Sequence, residues 1–275
     1  MPLSGPTVVR RQLGRRLRSL REQAGVTVEQ VEAARFGSRA KLWRIENGQV
    51  RVTVPDVWAL CRIYQVGEAD TVTLTTLARR TTEHGWWHAY REFVPEWFRL
   101  YLGLETTASR LCTWEDAVVP GELQTPAYAY ALWRDAWPEV AETAIGPHVA
   151  LRRERQDGLL ARTPPPRLTV VLGENVIRRQ VGGPEVLTAQ IEHLVALAER
   201  ETVDIRILPF TAGAHPATTG AFRILQFDAA DDPDVVYVEL ELEARYLERP
   251  AEVDRYRRMF TRLQERAVRI GDYER

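Results

Sequence analysis

The sequence predicts two domains: an all-helical domain over residues 1–82, and a larger α+β domain over residues 83–275 with a small, mostly antiparallel sheet. Two observations favour this division. Apolar residues recur at helical spacing through the first eighty residues, whereas short β-branched runs appear only after the prolines at 164–166. At 275 residues the chain is long enough for two domains that each have their own core.

Capping residues delimit the predicted amino-terminal helices. Thr27 can accept hydrogen bonds from the free N–H groups of a new helix, and Ser38 can do the same for a second helix. Asn47 and Gly48 end that second helix, and Pro55 opens another. The spacing predicts these inward-facing residues: Leu13, Leu17, Leu20, Leu42, Ile45, Val57, Leu60, Cys61 and Tyr64.

Charge is unevenly distributed along the chain. Residues 1–52 contain eleven Lys and Arg against four Asp and Glu, a net charge of +7. The remaining residues contain 26 against 34, a net charge of −8, so the overall value of −1 conceals a basic head on an acidic body. Neutralisation of phosphates by the amino-terminal domain requires such an asymmetry. An arginine-rich genome is an alternative source of this bias, because 36 of the 37 cations are arginine.

The stretch GVTVEQVEAARFGSRAKLWRIENG, residues 25–48, resembles the Cro/cI-type, or Xre-family, helix-turn-helix. The resemblance covers residues 10–65 and implies an all-α, five-helix domain that inserts its second motif helix into the major groove of DNA. It implies base-facing residues at Ser38, Arg39, Ala40, Lys41 and Arg44. It implies phosphate contacts from Thr27, Asn47 and Arg51, and a partly buried ion pair between Arg21 and Glu46. Because arginine paired with guanine is the commonest specific base contact, Arg39 and Arg44 are the principal candidates.

Four positions depart from the family pattern. Val28 stands where a phosphate-contacting Gln is usual, and Glu32 where a small residue is usual at the helix crossing. Arg35 stands in place of Leu, and Phe36 in place of the turn glycine. Two interpretations follow: a motif whose first helix is slightly shifted, or a helix-turn-helix that no longer binds DNA.

Helices and strands are mixed in the second half. The runs RLTVVLGE, VDIRILPF, AFRILQFD and DVVYVELELEA predict strands. Apolar and polar residues alternate over 236–242, which predicts one buried and one solvated face. Amphipathic helices are predicted between the first two strands and after Pro250, and a further helix is predicted over residues 104–111.

Motifs spread over residues 86–265 resemble the domain of unknown function found in Scr-type antitoxin-like regulators of actinobacteria, which include WhiJ-like sporulation regulators. The matching motifs are WW followed by WF, LGLE, VPGELQTPAYA, RRERQ, VLGENVIRRQVGG, ILPFTAGAHPATTGAF and VVYVE. Glu122 departs from this pattern, because Leu is usual there. The resemblance implies a regulator that is often encoded beside a small protein partner, and it leaves the ligand undefined.

A turn and a loop of the second domain predict a site for a ligand or partner. The PGELQT turn places Gln124 near Tyr128, and we expect these two residues to lie with His215 and Glu239 in a pocket lined by Tyr and Trp. The other polar candidates for a catalytic site are Glu105, Glu174, Thr218 and Thr219. No GxSxG, HExxH or P-loop spacing frames them, so we expect binding rather than catalysis, without a cofactor or metal.

Cysteine usage and hydropathy indicate the compartment. The two cysteines, Cys61 and Cys112, are far apart in sequence and suggest neither a disulfide framework nor a metal site. No run of eighteen apolar residues occurs, and the first residues lack a long apolar core. The sequence therefore predicts a soluble cytoplasmic protein.

Two functions from different classes remain open. In the first, a homodimeric transcriptional regulator binds double-stranded DNA at half-sites about 34 Å apart, while its second domain supplies dimer contacts and binds a small protein or ligand. In the second, the chain is an antitoxin-like adaptor that binds a protein partner, and DNA binding is secondary or lost.

Overall fold

The computed structural model describes residues 6–80, 89–90, 92–228 and 233–273. The chain forms two compact units: unit 1 comprises residues 1–89 and 98–107, and unit 2 comprises residues 90–97 and 108–275. Trp86 and Trp87 of the WW motif, and the predicted domain boundary after residue 82, lie outside the described residues.

Unit 1 contains the predicted amino-terminal helices. Their bounds are α1 Pro6–Gln23, α2 Val28–Ala33, α3 Arg39–Glu46, α4 Val54–Ile63 and α5 Glu68–Arg80, followed by α6 Glu96–Glu105. Leu13, Leu17, Leu42, Ile45 and Leu60 meet in one apolar core. The helical spacing of these residues predicted that core, since the residues three and four apart lie on one helix face.

Side-chain caps set the ends of α2 and α3. Thr27 Oγ1 accepts from Gln30 N at 3.3 Å, and Gln30 Oε1 accepts from Thr27 N at 2.8 Å, which forms a capping box. Ser38 Oγ accepts from Lys41 N at 3.2 Å. Beyond the carboxyl end of α3, Gly48 has φ 65°, a conformation that glycine adopts without strain.

A buried ion pair ties α1 to α3. Arg21 Nε donates to Glu46 Oε1 at 2.6 Å, and Arg21 Nη2 donates to Oε2 at 3.0 Å. Arg21 Nη1 also donates to the carbonyl of Val26, at 3.1 Å, just before α2. At Gly14 the helices approach so closely that an added Cβ would collide with the carbonyl of Ile45. The orientation of α3 within unit 1 is therefore set by both charge and close packing.

Unit 2 is built on a sheet of seven strands. Their bounds are β1 Arg110–Glu115, β2 Arg167–Gly173, β3 Val203–Leu208, β4 Phe222–Gln226, β5 Val235–Glu239, β6 Ala244–Leu247 and β7 Val268–Arg269. The spatial order is β6-β5-β4-β1-β2-β3-β7. Strands β1, β2 and β3 are mutually parallel, and the other neighbouring pairs are antiparallel. The α+β class is confirmed, but the prediction of a small sheet is wrong.

Strand β1 replaces the helix that was predicted over residues 104–111. Helix α6 ends at Glu105, and β1 begins at Arg110. Residues 111–114 are all buried, so this central strand has neither a solvated face nor the alternating pattern that would identify it. Its apolar residues therefore resembled the continuation of a helix.

The alternation predicted over residues 236–242 also ends early. Strand β5 stops at Glu239, and the N–H of Leu240 donates to the carbonyl of Glu243 at 2.9 Å to form the turn into β6. Leu240 is 43 % exposed and Leu242 is 86 % exposed, so the prediction that both are buried is wrong. A hairpin turn with apolar residues at alternate positions mimics one long strand.

Helices cover the sheet of unit 2. Their bounds are α7 Pro126–Ala136, α8 Glu142–Leu160, α9 Glu174–Arg178, α10 Pro184–Ala198 and α11 Pro250–Arg266. The helices predicted before β3 and after Pro250 are confirmed as α10 and α11. Phe260 and Leu263 of α11 pack in one cluster with Cys112 and Ile224, which are paired in register on β1 and β4.

A buried carboxylate joins three elements of unit 2. Glu122 lies in the 3-10 turn Gly121–Leu123 and is 2 % exposed. Its Oε2 is 2.9 Å from Arg155 Nη2 on α8 and 3.5 Å from Arg223 Nη2 on β4. Burial opposes ionisation, but the guanidinium charges of Arg223 and Arg155 hold the pKa of Glu122 below its usual range. The turn is thereby fastened to both a helix and the sheet.

We expect Glu122→Gln to destabilise unit 2 by about 3–5 kcal/mol, because two buried guanidinium groups lose their common counter-charge. Urea denaturation, with hydrogen exchange assigning the opening to α8 and β4, measures this loss. The matched control is Glu139→Gln at an exposed position, for which we expect a change within about 0.5 kcal/mol. Equal stability of the two variants would contradict a structural role for Glu122.

Candidate nucleic-acid interface

Helix α3 presents one solvent-exposed face. Leu42, Ile45 and Glu46 point into unit 1. The exposed residues of the helix are Arg39, Ala40, Trp43 and Arg44. An α-helix with one buried and one polar, exposed face has the form that enters a major groove.

Arg39 lies on that face but has acidic neighbours. Its Nε is 2.9 Å from Glu32 Oε2, and its Nη1 is 3.3 Å from Glu29 Oε1. The Arg39 side chain is 60 % exposed, so solvent screens both pairs and each contributes little to stability. The consequence concerns binding: Arg39 must leave two carboxylates of α2 before it can contact a base edge.

Lys41 is directed to the side of α3. Its Nζ is 2.8 Å from Asp56 Oδ1 on α4 and lies 4.5 Å from the centroid of the Phe36 ring. Phe36, which stands at the usual position of the turn glycine, thus supplies a cation–π partner. Among the described residues, Arg44 contacts no carboxylate, and its Nε donates to the carbonyl of Ala40 at 3.3 Å. Arg44 is therefore the most available cation on the exposed face of α3.

Two of the residues predicted to approach phosphates lie at helix ends, and the third, Arg51, lies in the loop between α3 and α4. Thr27 caps α2. Asn47 caps the end of α3, and its Nδ2 donates to the carbonyl of Trp43 at 2.7 Å. Arg51 is exposed and lies near Arg10. Burial lowers the pKa of Arg10, and the charge of Arg51 lowers it further. Two neighbouring cations beside α3 provide positive potential for a phosphate backbone.

The turn between α2 and α3 accommodates Arg35 and Phe36, two of the residues that depart from the family pattern. Arg35 has φ 59° and Gly37 has φ 150°, so the positive φ values lie on either side of Phe36. Val28 packs against the apolar core, and Glu32 is exposed beside Arg39. The departure with a direct effect on the candidate interface is therefore Glu32.

Sequence reasoning missed Trp43 as part of this surface. Its side chain is 57 % exposed in the middle of the α3 face. Helical spacing contains the signal, since Trp43 lies four residues after Arg39 and four before Asn47. A large exposed aromatic ring adds apolar contact area beside Arg44.

In unit 2, three of the four residues predicted to bind a ligand lie near Arg152 of α8, and one of them, Gln124, is hydrogen-bonded to it. Gln124 Oε1 accepts from Arg152 Nη1, and its Nε2 donates to the carbonyl of Val119 at 2.7 Å. Tyr128 is fully buried, and its hydroxyl accepts from Val119 N at 3.3 Å. Burial, together with the charge of Arg155, lowers the pKa of Arg152 to about 10, while the charges of Glu122 and, to a smaller extent, Glu239 act in the opposite direction. Gln124 and Tyr128 are thus engaged in holding the turn.

His215 lies against the other face of the sheet. Its ring is 5.0 Å from that of Trp114, and Trp114 belongs to the cluster beneath α11. The register places Arg223 and Tyr237 on the opposite face, together with Glu239. His215 Nδ1 and Trp114 Nε1 are buried and lack hydrogen-bond partners within the described part of the chain. His215 is therefore not grouped with the other three residues.

The remaining polar candidates have structural contacts. Glu105 accepts from the hydroxyl of Tyr101 at 2.8 Å, and Glu174 accepts from Phe210 N at 2.7 Å and Arg178 Nε at 2.5 Å. Thr218 and Thr219 are exposed in the loop before β4. In the described ranges, no three His, Cys, Asp or Glu side chains are grouped to hold a metal ion. Likewise, none of the described helices is long and apolar enough to cross a membrane.

Comparisons with known families agree with this two-part organisation. A helix-turn-helix domain model matches residues 12–88. A model described as a domain of unknown function, DUF5753, matches residues 98–272. Searches of curated proteins and of solved structures gave no match. Neither matching model describes an enzyme family. Since the second model spans more than half of the chain, the protein belongs to the DUF5753 family and carries an amino-terminal helix-turn-helix domain.

Proposed function

We propose that this protein is a sequence-specific transcriptional regulator that reads double-stranded DNA through α3. The helix-turn-helix domain suggests a DNA-binding regulator. The exposed face of α3 indicates which residues would contact the DNA. The Arg21–Glu46 pair orients α3 while Arg44 remains directed outward. The same proposal assigns the helix-turn-helix to the Cro/cI, or Xre, type. It assigns the whole protein to the actinobacterial Scr-like regulators.

In the proposed interface, Arg44 contributes most of the base recognition. Bidentate hydrogen bonding of a guanidinium to guanine suits an exposed arginine on a groove-facing helix. Ser38, Arg39 and Ala40 complete the base-facing end, whereas Thr27, Asn47 and Arg51 position the backbone. Lys41 contributes only if its ion pair with Asp56 opens.

The second domain is proposed to supply dimer contacts and to bind a small protein or a ligand. A two-fold dimer would present two α3 helices to half-sites about 34 Å apart on one side of the duplex. Gln124, Tyr128 and Glu239 remain the proposed residues of the partner or ligand surface, whereas His215, on the other face of the sheet, is not part of it. The structural roles of Gln124 and Tyr128 indicate that they shape this surface rather than bind alone.

One observation favours the alternative of an antitoxin-like adaptor. Two of the five base-facing candidates, Arg39 and Lys41, are paired with carboxylates of their own domain. A motif selected mainly for protein binding would tolerate such pairing, because it loses only DNA affinity. DNA binding would then be secondary.

We expect Arg44→Ala to weaken specific DNA binding by about 1–3 kcal/mol, which is the discrimination that one bidentate arginine–guanine contact provides. Selection of bound fragments from genomic DNA yields a site, and fluorescence anisotropy then measures affinity. Arg62→Ala, an exposed arginine of α4, is the matched control. Equal affinity of both variants for the selected site would refute the role of Arg44.

We expect Glu32→Gln to strengthen DNA binding several-fold, because it removes a charge that holds Arg39 and repels phosphate. The slope of log K against log salt becomes steeper by up to about one counter-ion as Arg39 gains a phosphate or base contact. Titrations at several salt concentrations measure both effects. The control is Glu68→Gln on α5, an exposed glutamate away from Arg39. Unchanged affinity in both variants would show that the Glu32 pair does not restrain Arg39.

Purification from the native host distinguishes the regulator from the adaptor. We expect the tagged chain to be recovered as a homodimer by light scattering and to protect a palindromic site in footprinting. An adaptor would instead emerge with a stoichiometric small protein and give no protected site. The Arg44→Ala variant separates the two, because it weakens protection of the site without affecting the capture of a protein partner.

A further inference from the structure

A cleft of about 420 Å³ opens in unit 2 between α11 and the amino ends of the parallel strands. The cleft contains neither the turn that carries Gln124 nor the loop that carries His215. The volume lies within the range of about 300–1,000 Å³ that is typical of small-molecule sites. The residues of its lining that determine which ligands it can bind are Arg110, Cys112, Arg167, Glu201, Asp204 and Arg257.

Two arginines stand side by side at one end of the cleft. Arg110 begins β1 and Arg167 begins β2, and the two residues are paired in register. Neighbouring strands are about 4.8 Å apart, so the register places both side chains on the same sheet face. Both residues are exposed, and neither pairs with a carboxylate within the ranges that the structure describes. Like charges directly opposite each other repel, so an anion between them is favoured.

The third arginine of the cleft differs from this pair. Arg257 Nη2 is 2.5 Å from Asp234 Oδ2, and its Nη1 is 2.8 Å from Asp254 Oδ1. Gln226 Nε2 also donates to Asp234 Oδ2, at 2.7 Å. Arg257 is therefore satisfied by its own chain and forms a wall of the cleft, whereas Arg110 and Arg167 are available to a ligand.

Carboxylates line the other end of the cleft. Asp204 lies on β3, in register with Thr169 of β2, and Glu201 lies just before that strand. Two strand spacings separate β1 from β3, which is about 10 Å. Asp204 Oδ2 accepts from Arg206 Nε at 3.0 Å and from Gln264 Nε2 at 3.4 Å. The cleft thus has a cationic end and an acceptor end, with Glu201 as the more exposed acceptor.

Part of the floor between these ends is apolar, although Thr169 and Gln226 also line it. Cys112 and Phe260 are buried and belong to the cluster beneath α11. Burial raises the pKa of the Cys112 thiol to about 11, so the thiol remains protonated at neutral pH. A protonated, buried cysteine behaves as a small apolar side chain.

We propose that this cleft binds a small metabolite with a carboxylate or phosphate at one end, an apolar middle and a hydrogen-bond donor at the other end. The anionic group lies between Arg110 and Arg167, and the donor reaches Glu201. A DNA backbone fits this cleft less well, since Glu201 and Asp204 would face its phosphates. This cleft is separate from the surface proposed around Gln124 and Tyr128, so the inference adds a ligand site to the proposed function, and it rests on that function only for the effect of the ligand on DNA.

The test measures anion binding to the full-length protein without DNA. Calorimetric titrations use inorganic phosphate and acetate separately, which distinguishes the two anionic groups. We expect at least one of them to bind, and the double variant Arg110→Gln, Arg167→Gln to bind it at least about tenfold more weakly, because two charge-assisted contacts are lost. The matched control is Arg245→Gln, an exposed strand arginine on β6 outside the cleft.

A second pair of probes tests the acceptor end. 6-Aminohexanoate and hexanoate share a carboxylate and a chain, and only the first carries an ammonium group. We expect 6-aminohexanoate to bind more tightly than hexanoate to the natural protein, and the difference to vanish in Glu201→Gln. Equal binding of the two compounds to the natural protein would overturn the assignment of that end.

Three outcomes overturn the cleft as an anion site. The first is that neither phosphate nor acetate binds. The second is that the double variant, with an unchanged circular dichroism spectrum, retains the natural affinity. The third is that the double variant weakens duplex DNA binding as much as Arg44→Ala, which would make Arg110 and Arg167 backbone contacts. If anions bind in the cleft while Arg44→Ala leaves DNA affinity unchanged, the regulator proposal fails and the cleft assignment stands.

Discussion

The pairing of the central strand β1 is the constraint on which unit 2 depends. It pairs in parallel with β2 on one side and antiparallel with β4 on the other. This placement brings the amino ends of β1 and β2 side by side, where the proposed anion cleft lies. It also aligns Arg223 with the turn that carries Glu122. A shift of one residue would move every side chain of β1 to the opposite face and separate both groups of charges.

Charge has opposite uses in the two units. In unit 1, carboxylates of α2 and α4 hold Arg39 and Lys41, and Arg44 remains available on the exposed face of α3. In unit 2, Glu122 is almost fully buried, and its guanidinium partners offset the cost of removing it from water. The Arg39 pairs are exposed and weak enough to exchange for a nucleic-acid contact, the Lys41–Asp56 pair is partly buried, and the Glu122 cluster is structural.

Local signals were the predictable part of the fold and the site. Thr27, Ser38 and Gly48 marked helix ends because capping depends on residues within one turn. The exposed α3 face followed from helical spacing, although Trp43 was overlooked. Strand β1 was missed because burial on both faces removes the alternating pattern, and the β5–β6 turn was missed because its apolar residues continue that pattern. The arginine pair was unpredictable, since Arg110 and Arg167 are 57 positions apart in the sequence.

The sequence by itself determined the helix-turn-helix, its basic charge and the α+β character of the second domain, because each of these depends on residues that are close together in the sequence. Tertiary structure alone decided which cations are available. Arg39, Arg44, Arg110 and Arg257 are equivalent as sequence letters, but only folding brings carboxylates to Arg39 and Arg257. The physical reason is that hydrogen bonds and Coulomb interactions depend on distance in space and not on separation along the chain.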